Sequence, residues 1–310
     1  MPPDQPLVLD SFSVVGSGAM ARTLSHALLG IGVRCNQIVS RNQESAKALA
    51  LELGAEGANR LQDLEFASTN LLILAVPDDA LESVVLSLGE KAESDDIVIL
   101  HTSGALDSQV LDPLSEKGAE CGSFHPLQTF AASKKLTSAG AQKKFKGVTI
   151  GIEGSEVACR MATHMADSLL ANPVVIQSSN KALYHAAAVM AGNHAITLMA
   201  AAAELWEQAT GSKQSFSEAL GPLILQSISN TVKTSPEAAL TGPVARGDKG
   251  TLVLHLEAIR EHLSHLLPLY GAVATETVHL AMRSGRLSAD QAVALLDAID
   301  LQLRSGEDAE

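Results

Sequence analysis

Four side chains with acid–base or charge-pairing chemistry stand where the local pattern would aim them. His125 closes the short apolar run in "CGSFHPLQTF", and Pro126 stiffens the chain just beyond it. Lys181 and His185 lie four residues apart in "SSNKALYHAAAVMAGNHAITL". At roughly 100° per residue they share one stripe with Ala188 and Gly192, and Asn193 lies at its margin. Such a face suits a helix laid against a ligand: small residues allow close approach, and polar groups offer a proton or orient a carbonyl. An interdomain helix packed tightly through the same small residues is the plainer use of this pattern. Arg246 sits with Asp248 and Thr251 in "TGPVARGDKGT", a stretch that glycine and proline hold in shape. Its guanidinium suits a carboxylate or phosphate, unless it only pairs with Asp248 to lock the loop.

A second set has the spacing of a nucleotide cradle. Gly16-Ser17-Gly18-Ala19-Met20-Ala21 has the form G-x-G-x-x-A, directly after a strand and opening a helix. Gly16 permits the tight turn, and Gly18 lets a pyrophosphate approach the backbone at the positive end of the helix. At the end of the next strand an NAD-selective site carries a carboxylate for the ribose hydroxyls. Here stand Ser40, Arg41 and Asn42 instead. A guanidinium clamps a 2′-phosphate and its neighbours add hydrogen bonds, so NADP is favoured over NAD. A solvated arginine at a helix start is the alternative. "LAVPDDAL" turns at Pro77, with Asp78 or Asp79 expected to cap the following helix, and "ILHTSGAL" ends in His101, Thr102, Ser103 and Gly104. Ligands of open α/β sheets bind at the carboxyl edge, which adds Val76, Pro77, Asp78 and Ser103 to the cofactor set and places His125 on the same edge.

The elements that must position these residues alternate. "SFSVVGSGAMARTLSHALLGIG" reads as strand, turn and helix, and "NQIVS" as a second strand. "NQESAKALALELG" is a helix with Asn42 as N-cap and Gly54 as its stop. "NLLILAVPDD" is the continuous apolar run of a central parallel strand. "DIVILHTSG" and "AECGSFHPL" are two more, with "DSQVLDPLSEKG" between them as a helix. "GVTIGIEG", "SEVACRMATHMADSLLA" and "NPVVIQ" continue the series. Strand–helix repetition predicts a doubly wound, mostly parallel sheet over residues 1–177. From residue 178 onward only helical periodicity remains, so residues 178–310 are expected to form a smaller all-α domain that ends in a polar tail.

Composition limits the function classes. The chain has 310 residues, 46% of them hydrophobic, which supports a large α/β domain with a smaller partner. Aromatics are only 3%, and alanine-rich segments favour closely packed helices. A net charge of −13 opposes nucleic acid and anionic membranes alike. Cys35, Cys121 and Cys159 are odd in number and lack metal-type spacing, so buried free thiols of a reducing, cytoplasmic compartment are expected. The opening "MPPDQPLVLD" has neither a basic region nor an apolar signal core. Residues 182–206 are apolar enough to resemble a membrane span, but their histidines, asparagine and many alanines favour a buried helix. His255, His262 and His265 recur at near-helical spacing without a carboxylate or cysteine cluster, so no metal site is expected.

Together "VVGSGAMA", "SRN", "AVPDDAL", "HTSGAL", "HPLQTF" and "ALTGPVARGD" resemble the family that joins a Rossmann-like domain to a helical domain of unknown function, DUF2520. The resemblance spans nearly the whole chain. It implies a Rossmann-type fold and an NADP oxidoreductase similar in layout to pyrroline-5-carboxylate reductase and the 6-phosphogluconate dehydrogenase superfamily. The His-Pro pair is similar to that of prephenate dehydrogenases, whose histidine meets the substrate hydroxyl. Those enzymes continue with a glycine-containing loop, whereas this chain continues Leu127-Gln128-Thr129-Phe130. Relatives in the superfamily place a catalytic lysine on the helix that Lys181 begins here.

The expectation is therefore hydride transfer between NADP(H) and a small, anionic carbonyl or imine metabolite. His125 would bond to the reacting heteroatom, Lys181 or His185 would supply a proton, and Arg246 would hold the anionic group. A homodimer through the helical domain is expected, the 241–250 loop completing the partner's site. A non-catalytic NADP-binding sensor and a helical interaction protein are the other readings.

Overall fold

The computed structural model describes residues 8–58, 60–66, 69–90, 97–131, 136–211 and 215–304. The first seven residues and the polar tail after 304 lie outside them. The chain divides into two compact units, Met1–Asn193 and His194–Glu310. The helix that begins after residue 178, counted above with the helical half, thus contributes its first turns to the sheet unit.

The first unit is built on eight strands: β1 (Ser11–Val15), β2 (Arg34–Val39), β3 (Glu56–Ala58), β4 (Leu71–Leu74), β5 (Val98–His101), β6 (Glu120–Pro126), β7 (Thr149–Gly154) and β8 (Asn172–Val175). They lie in the order β3-β2-β1-β4-β5-β6-β7-β8. All neighbours are parallel except β6 and β7, which are antiparallel. The chain reverses from β1–β2–β3 to β4 beside β1, which makes a topological switch point at their carboxyl ends. Alternation sorts the strand residues by face. Val14 and Ile73 pack against Leu24, Leu28, Leu49 and Met161, which come from α1 (Ala19–Gly30), α2 (Gln43–Leu53) and, further along the chain, α6 (Glu156–Ser168). Val15, Leu72 and Leu74 meet Leu81, Val85 and Leu114 from α3 (Asp78–Gly89) and α4 (Asp112–Ser115).

Local chemistry sets several element ends. Asn42 caps α2 by accepting from Ser45 N, and Gly54 closes that helix in the left-handed region, both as expected. Pro77, rather than Asp78 or Asp79, is the N-cap of α3, and the two carboxylates occupy its first turn, where they still favour the helix dipole. The segment expected as one helix over 107–118 is a 3₁₀ turn, Ser108–Leu111, followed by the single turn of α4. Pro113 stands where the helix would need its N–H, so the first turn cannot extend into the second. β3 has only three residues and left no apolar run to find.

The first unit also holds α5 (Ser138–Phe145) and α7 (Lys181–Val189). A turn of π-helix, Met190–His194, follows. The second unit comprises α8 (Ala195–Thr210), α9 (Phe216–Ala219), α10 (Gly221–Lys233), α11 (Pro236–Ala239), α12 (Lys249–His262), α13 (Leu267–Arg283) and α14 (Ala289–Arg304). Its core is made by Leu252, Leu256, Ala274, Val278, Leu295 and Ile299 from α12, α13 and α14. Segment 182–206 is helical, but none of its residues is buried, which corrects the buried helix expected from its composition. Among the described residues Ser178–Thr210 is a helix long and apolar enough to cross a membrane by length and composition. Apolar composition fixes that a surface favours cover; it does not fix that the same chain supplies it.

Gly16 has φ +124°, and a Cβ there would collide with the backbone carbonyl of Ala75. The turn after β1 is thereby pressed onto the end of β4. Replacing Gly16 with alanine is expected to cost about 2 kcal/mol or more in urea unfolding, through strain and overpacking together. At Gly18, where no atom lies within 4 Å of an added Cβ, the same change is expected to stay within about 0.5 kcal/mol.

Candidate functional site

The carboxyl edge of the sheet carries two adjoining features. Val39, Val15, Leu74, His101 and Ser123 share one row across β2, β1, β4, β5 and β6. His125 lies two residues beyond that row, and the interval from β1 to β6 is about 14 Å at the usual strand spacing.

At the β1–β4 switch point is a cavity of about 340 Å³. Gly16, Ser17, Gly18, Ser40, Arg41, Val76 and Pro77 line it, seven of the expected cofactor residues. Ser17 Oγ donates to Ser40 Oγ at 2.9 Å, tying the glycine turn to the end of β2. α1 starts at Gly18 with no side-chain cap and no acid in its first turn, so its positive end is uncompensated. The open space at Gly18 and this uncapped helix start fit a dinucleotide diphosphate. Ala19, Met20, Asn42, Asp78 and Ser103 do not line the cavity. The Asn42 oxygen is committed to its helix cap, and Ser103 Oγ accepts from the Ala105 and Leu106 amides. Leu61, Ala80, Ser83 and Ser87 do line it and were missed. They come from the 3₁₀ turn after β3 and one face of α3, which only the fold brings to the glycine turn.

Beside this cavity the ends of β5 and β6 meet α7. Lys181 is 1% exposed. Its ammonium donates to Ser123 Oγ and lies 3.9 Å from Glu153 Oε2. Glu153, buried on β7, accepts from Ser108 N at 2.9 Å, Ser108 Oγ at 2.6 Å and Ser178 Oγ at 2.7 Å. Burial alone would raise the Glu153 carboxyl. The serine hydrogen bonds and the Lys181 charge outweigh it and hold the group below the usual range. Burial lowers Lys181, and the negative charge of Glu153 opposes that. The lysine expected as a proton donor is thus sunk into the sheet beside Ser123 and Glu153.

One turn along α7, Tyr184 and His185 reach His125. Tyr184 Oη lies 3.0 Å from His125 Nδ1 and donates to the His125 carbonyl at 3.2 Å. The His125 and His185 rings meet edge to face at 5.6 Å. A Cβ at Gly104 would collide with His185 Nδ1 and fall 2.7 Å from His125 Nε2, so a larger residue there would push the two rings from their places. His101 is fully buried, and its Nδ1 accepts from Ser103 N at 3.2 Å. Burial, then the neighbouring His185 and Lys181 charges, push His125 down to about 4. Burial and the Lys181 charge push His101 to about 3. Tyr184, Glu153, Ser108, Ser123 and Ser178 were not read from the sequence. Tyr184 stands three residues after Lys181 on the very stripe described above, and Glu153 is a lone carboxylate inside an apolar strand, so both left a signal.

Arg246 lies in the second unit, on the 3₁₀ turn Val244–Arg246. It is exposed; its backbone N–H donates to the Pro243 carbonyl at 3.0 Å, and its guanidinium makes no hydrogen bond or ion pair among the described residues. The Asp248 carboxylate caps α12, accepting from Thr251 N at 3.0 Å and Thr251 Oγ1 at 2.7 Å; these bonds and, to a lesser degree, the Arg246 charge hold it below its usual range. His255 bonds to Tyr270 Oη at 2.7 Å, and His265 pairs with Glu204 at 3.0 Å.

Folding lowers the two buried histidines from an ordinary value of about 6.5 to about 4 and 3. Between these limits the unfolded chain binds protons that the folded chain refuses, so stability falls as pH falls through that window. Tm measured from pH 7 to 4 is expected to drop, and His101→Asn to flatten the slope.

A Rossmann-like domain family matches residues 8–126, and a domain of unknown function, DUF2520, matches residues 148–277. The gap between them spans the passage from β6 to β7, where the sheet turns antiparallel. No curated protein matches the chain. Among solved structures, a candidate NADP oxidoreductase from Bacteroides fragilis is 25% identical, with a TM-score of 0.70 over 87% of this chain and 98% of that one. Protein TM1727 from Thermotoga maritima is 23% identical, with a TM-score of 0.69 over 88% and 98%. A reductive aminase from Aspergillus terreus, in complex with NADPH and ethyl-5-oxohexanoate, is 19% identical, with a TM-score of 0.54 over 96% and 95%. Matches to a Rossmann-like domain and to DUF2520 thus follow one another along this chain, the second beginning at β7, within the first compact unit.

Proposed function

We propose that this chain is an NADP-dependent oxidoreductase that transfers hydride between NADP(H) and the carbonyl or imine carbon of a small anionic metabolite. The observation that carries the reading is the open cradle at Gly18, at an uncapped helix start, with Arg41 on its rim. The similarity to a candidate NADP oxidoreductase and to an NADPH-bound reductive aminase supports it.

The diphosphate belongs at the amides of the glycine turn, and Arg41 takes the 2′-phosphate, with Ser40 held beside it through Ser17. NADPH supplies the hydride; the protein supplies orientation and charge. His125 bonds to the reacting heteroatom. His185 lies against it, and Lys181 keeps α7 in place. The Arg246 guanidinium, which no hydrogen bond holds among the described residues, is proposed to take an anionic group. Its planar fork matches a carboxylate better than an ammonium would.

A second copy of the chain is the cover we propose for the helical unit. Ile196 on α8 and Leu223, Leu225, Ile228 and Val232 on α10 are exposed, the last at 80%. Apolar surface of that extent is unfavourable in water.

Arg41→Ala is expected to weaken NADPH binding about 10–100-fold and leave NADH binding nearly unchanged, as the loss of a charge-assisted hydrogen bond implies. Equal NADPH affinity in both proteins, by fluorescence titration, would refute the assignment. Sedimentation at micromolar concentration is expected to show a dimer, and Ile196→Glu with Val232→Glu to yield monomers; a monomeric wild type would exclude the second copy.

A further inference from the structure

The contacts of Tyr184 with His125 determine where one proton sits. A phenol has a single hydrogen to donate. The His125 carbonyl oxygen, 3.2 Å from Tyr184 Oη, can only accept, and without that hydrogen two lone-pair oxygens would face each other. The contact at Nδ1, 3.0 Å away, is then an Nδ1–H donating to Oη. A neutral imidazole carries one N–H, which leaves Nε2 as an acceptor. Nε2 has no hydrogen-bond partner among the described residues, and it faces Gly104. On the other side, a Cβ at Gly151 would collide with the Tyr184 hydroxyl, so β7 leaves room for the phenol only as glycine. The charged or titratable groups facing His125 are Lys181 and His185 from α7 and His101 from β5, besides Tyr184 itself.

We propose that Tyr184 is a positioning residue that locks His125 in the Nδ1–H tautomer, so that the site takes substrates whose reacting heteroatom donates a hydrogen to Nε2. The hydroxyl of a secondary alcohol and the N–H of an iminium both qualify. This rests on the hydride-transfer reading above. In oxidation, the alcohol gives its hydroxyl proton to Nε2 and a carbon hydride to the oxidised nicotinamide, leaving a ketone. In reduction, the iminium carbon accepts hydride from the reduced nicotinamide while its nitrogen keeps its proton, giving a neutral amine with no proton taken from the protein. A neutral ketone finds a donor at Nε2 only when the ring has first taken up a proton, the reverse of the alcohol step, which is disfavoured at neutral pH.

The test uses the full chain labelled with ¹⁵N-histidine, without cofactor, at pH 7. The expected spectrum shows His125 protonated at Nδ1 and bare at Nε2, the signal being assigned by its loss in His125→Gln. In Tyr184→Phe the ring keeps its place but a population with Nε2–H appears. A wild-type ring protonated at Nε2, or a tautomer unmoved by Tyr184→Phe, overturns the proposal. Turnover then compares secondary alcohols with NADP⁺, protonated cyclic imines with NADPH and neutral ketones with NADPH. Alcohols or imines are expected to react, which of the two naming the donor, and Tyr184→Phe to lower kcat about 10-fold or more with KM within about threefold. Ketones reacting faster than both overturn it. Should the chain bind no NADPH, the oxidoreductase reading falls, and the tautomer spectrum still decides the role of Tyr184.

Discussion

The ammonium of Lys181, sunk among Ser123 and Glu153, is the constraint on which the site depends. Glu153 comes from β7, Ser123 from β6, Ser108 from the turn after β5 and Ser178 from the approach to α7. One buried pair therefore pins four segments to a common point. Such a pair is no guarantee of net stability, because both charges surrender water. Its consequence is positional. The first residue of α7 is fixed against the sheet, and a helix advances about 1.5 Å and 100° per residue. Tyr184 and His185 are then delivered to His125 with little freedom of phase.

The antiparallel entry of β7 is part of the same arrangement. It places Gly151 opposite His125 and Glu153 opposite Ser123 in the register. The former opens room for the Tyr184 phenol, and the latter brings a carboxylate to the lysine. A parallel β7 would send its side chains past the β6 edge in the opposite order. The sheet's single reversal thus does chemical duty at the strand that carries the histidine.

The two features of the sheet edge obey opposite electrostatic logic. At the cofactor cavity the chain leaves positive potential uncompensated: an uncapped helix start and an exposed arginine. Around His125 it neutralises: the lysine is paired, and burial beside the lysine charge keeps His125 and His101 neutral. A polyanionic cofactor and a reacting centre that must control one proton call for these two environments, and three strand intervals separate them.

The sequence alone determined most of the elements and the glycine-turn and Arg41 sides of the cradle. The glycine turn, the Ser40-Arg41 strand end, the cap at Asn42 and the stop at Gly54 are encoded within a few residues, where local sterics and hydrogen bonding decide the outcome. The stripe of Lys181 and His185 was legible for the same reason, since helical spacing is a local property. Only the tertiary structure decided the reversal of β7, the pairing of Glu153 with Lys181 and the approach of Tyr184 to His125. These depend on which strand lies beside which and in what direction, and that is settled by long-range packing rather than by neighbours in the chain. The same holds for α8: its apolar composition was plain, but whether its surface is covered is a property of the folded surroundings, and the single chain leaves it open.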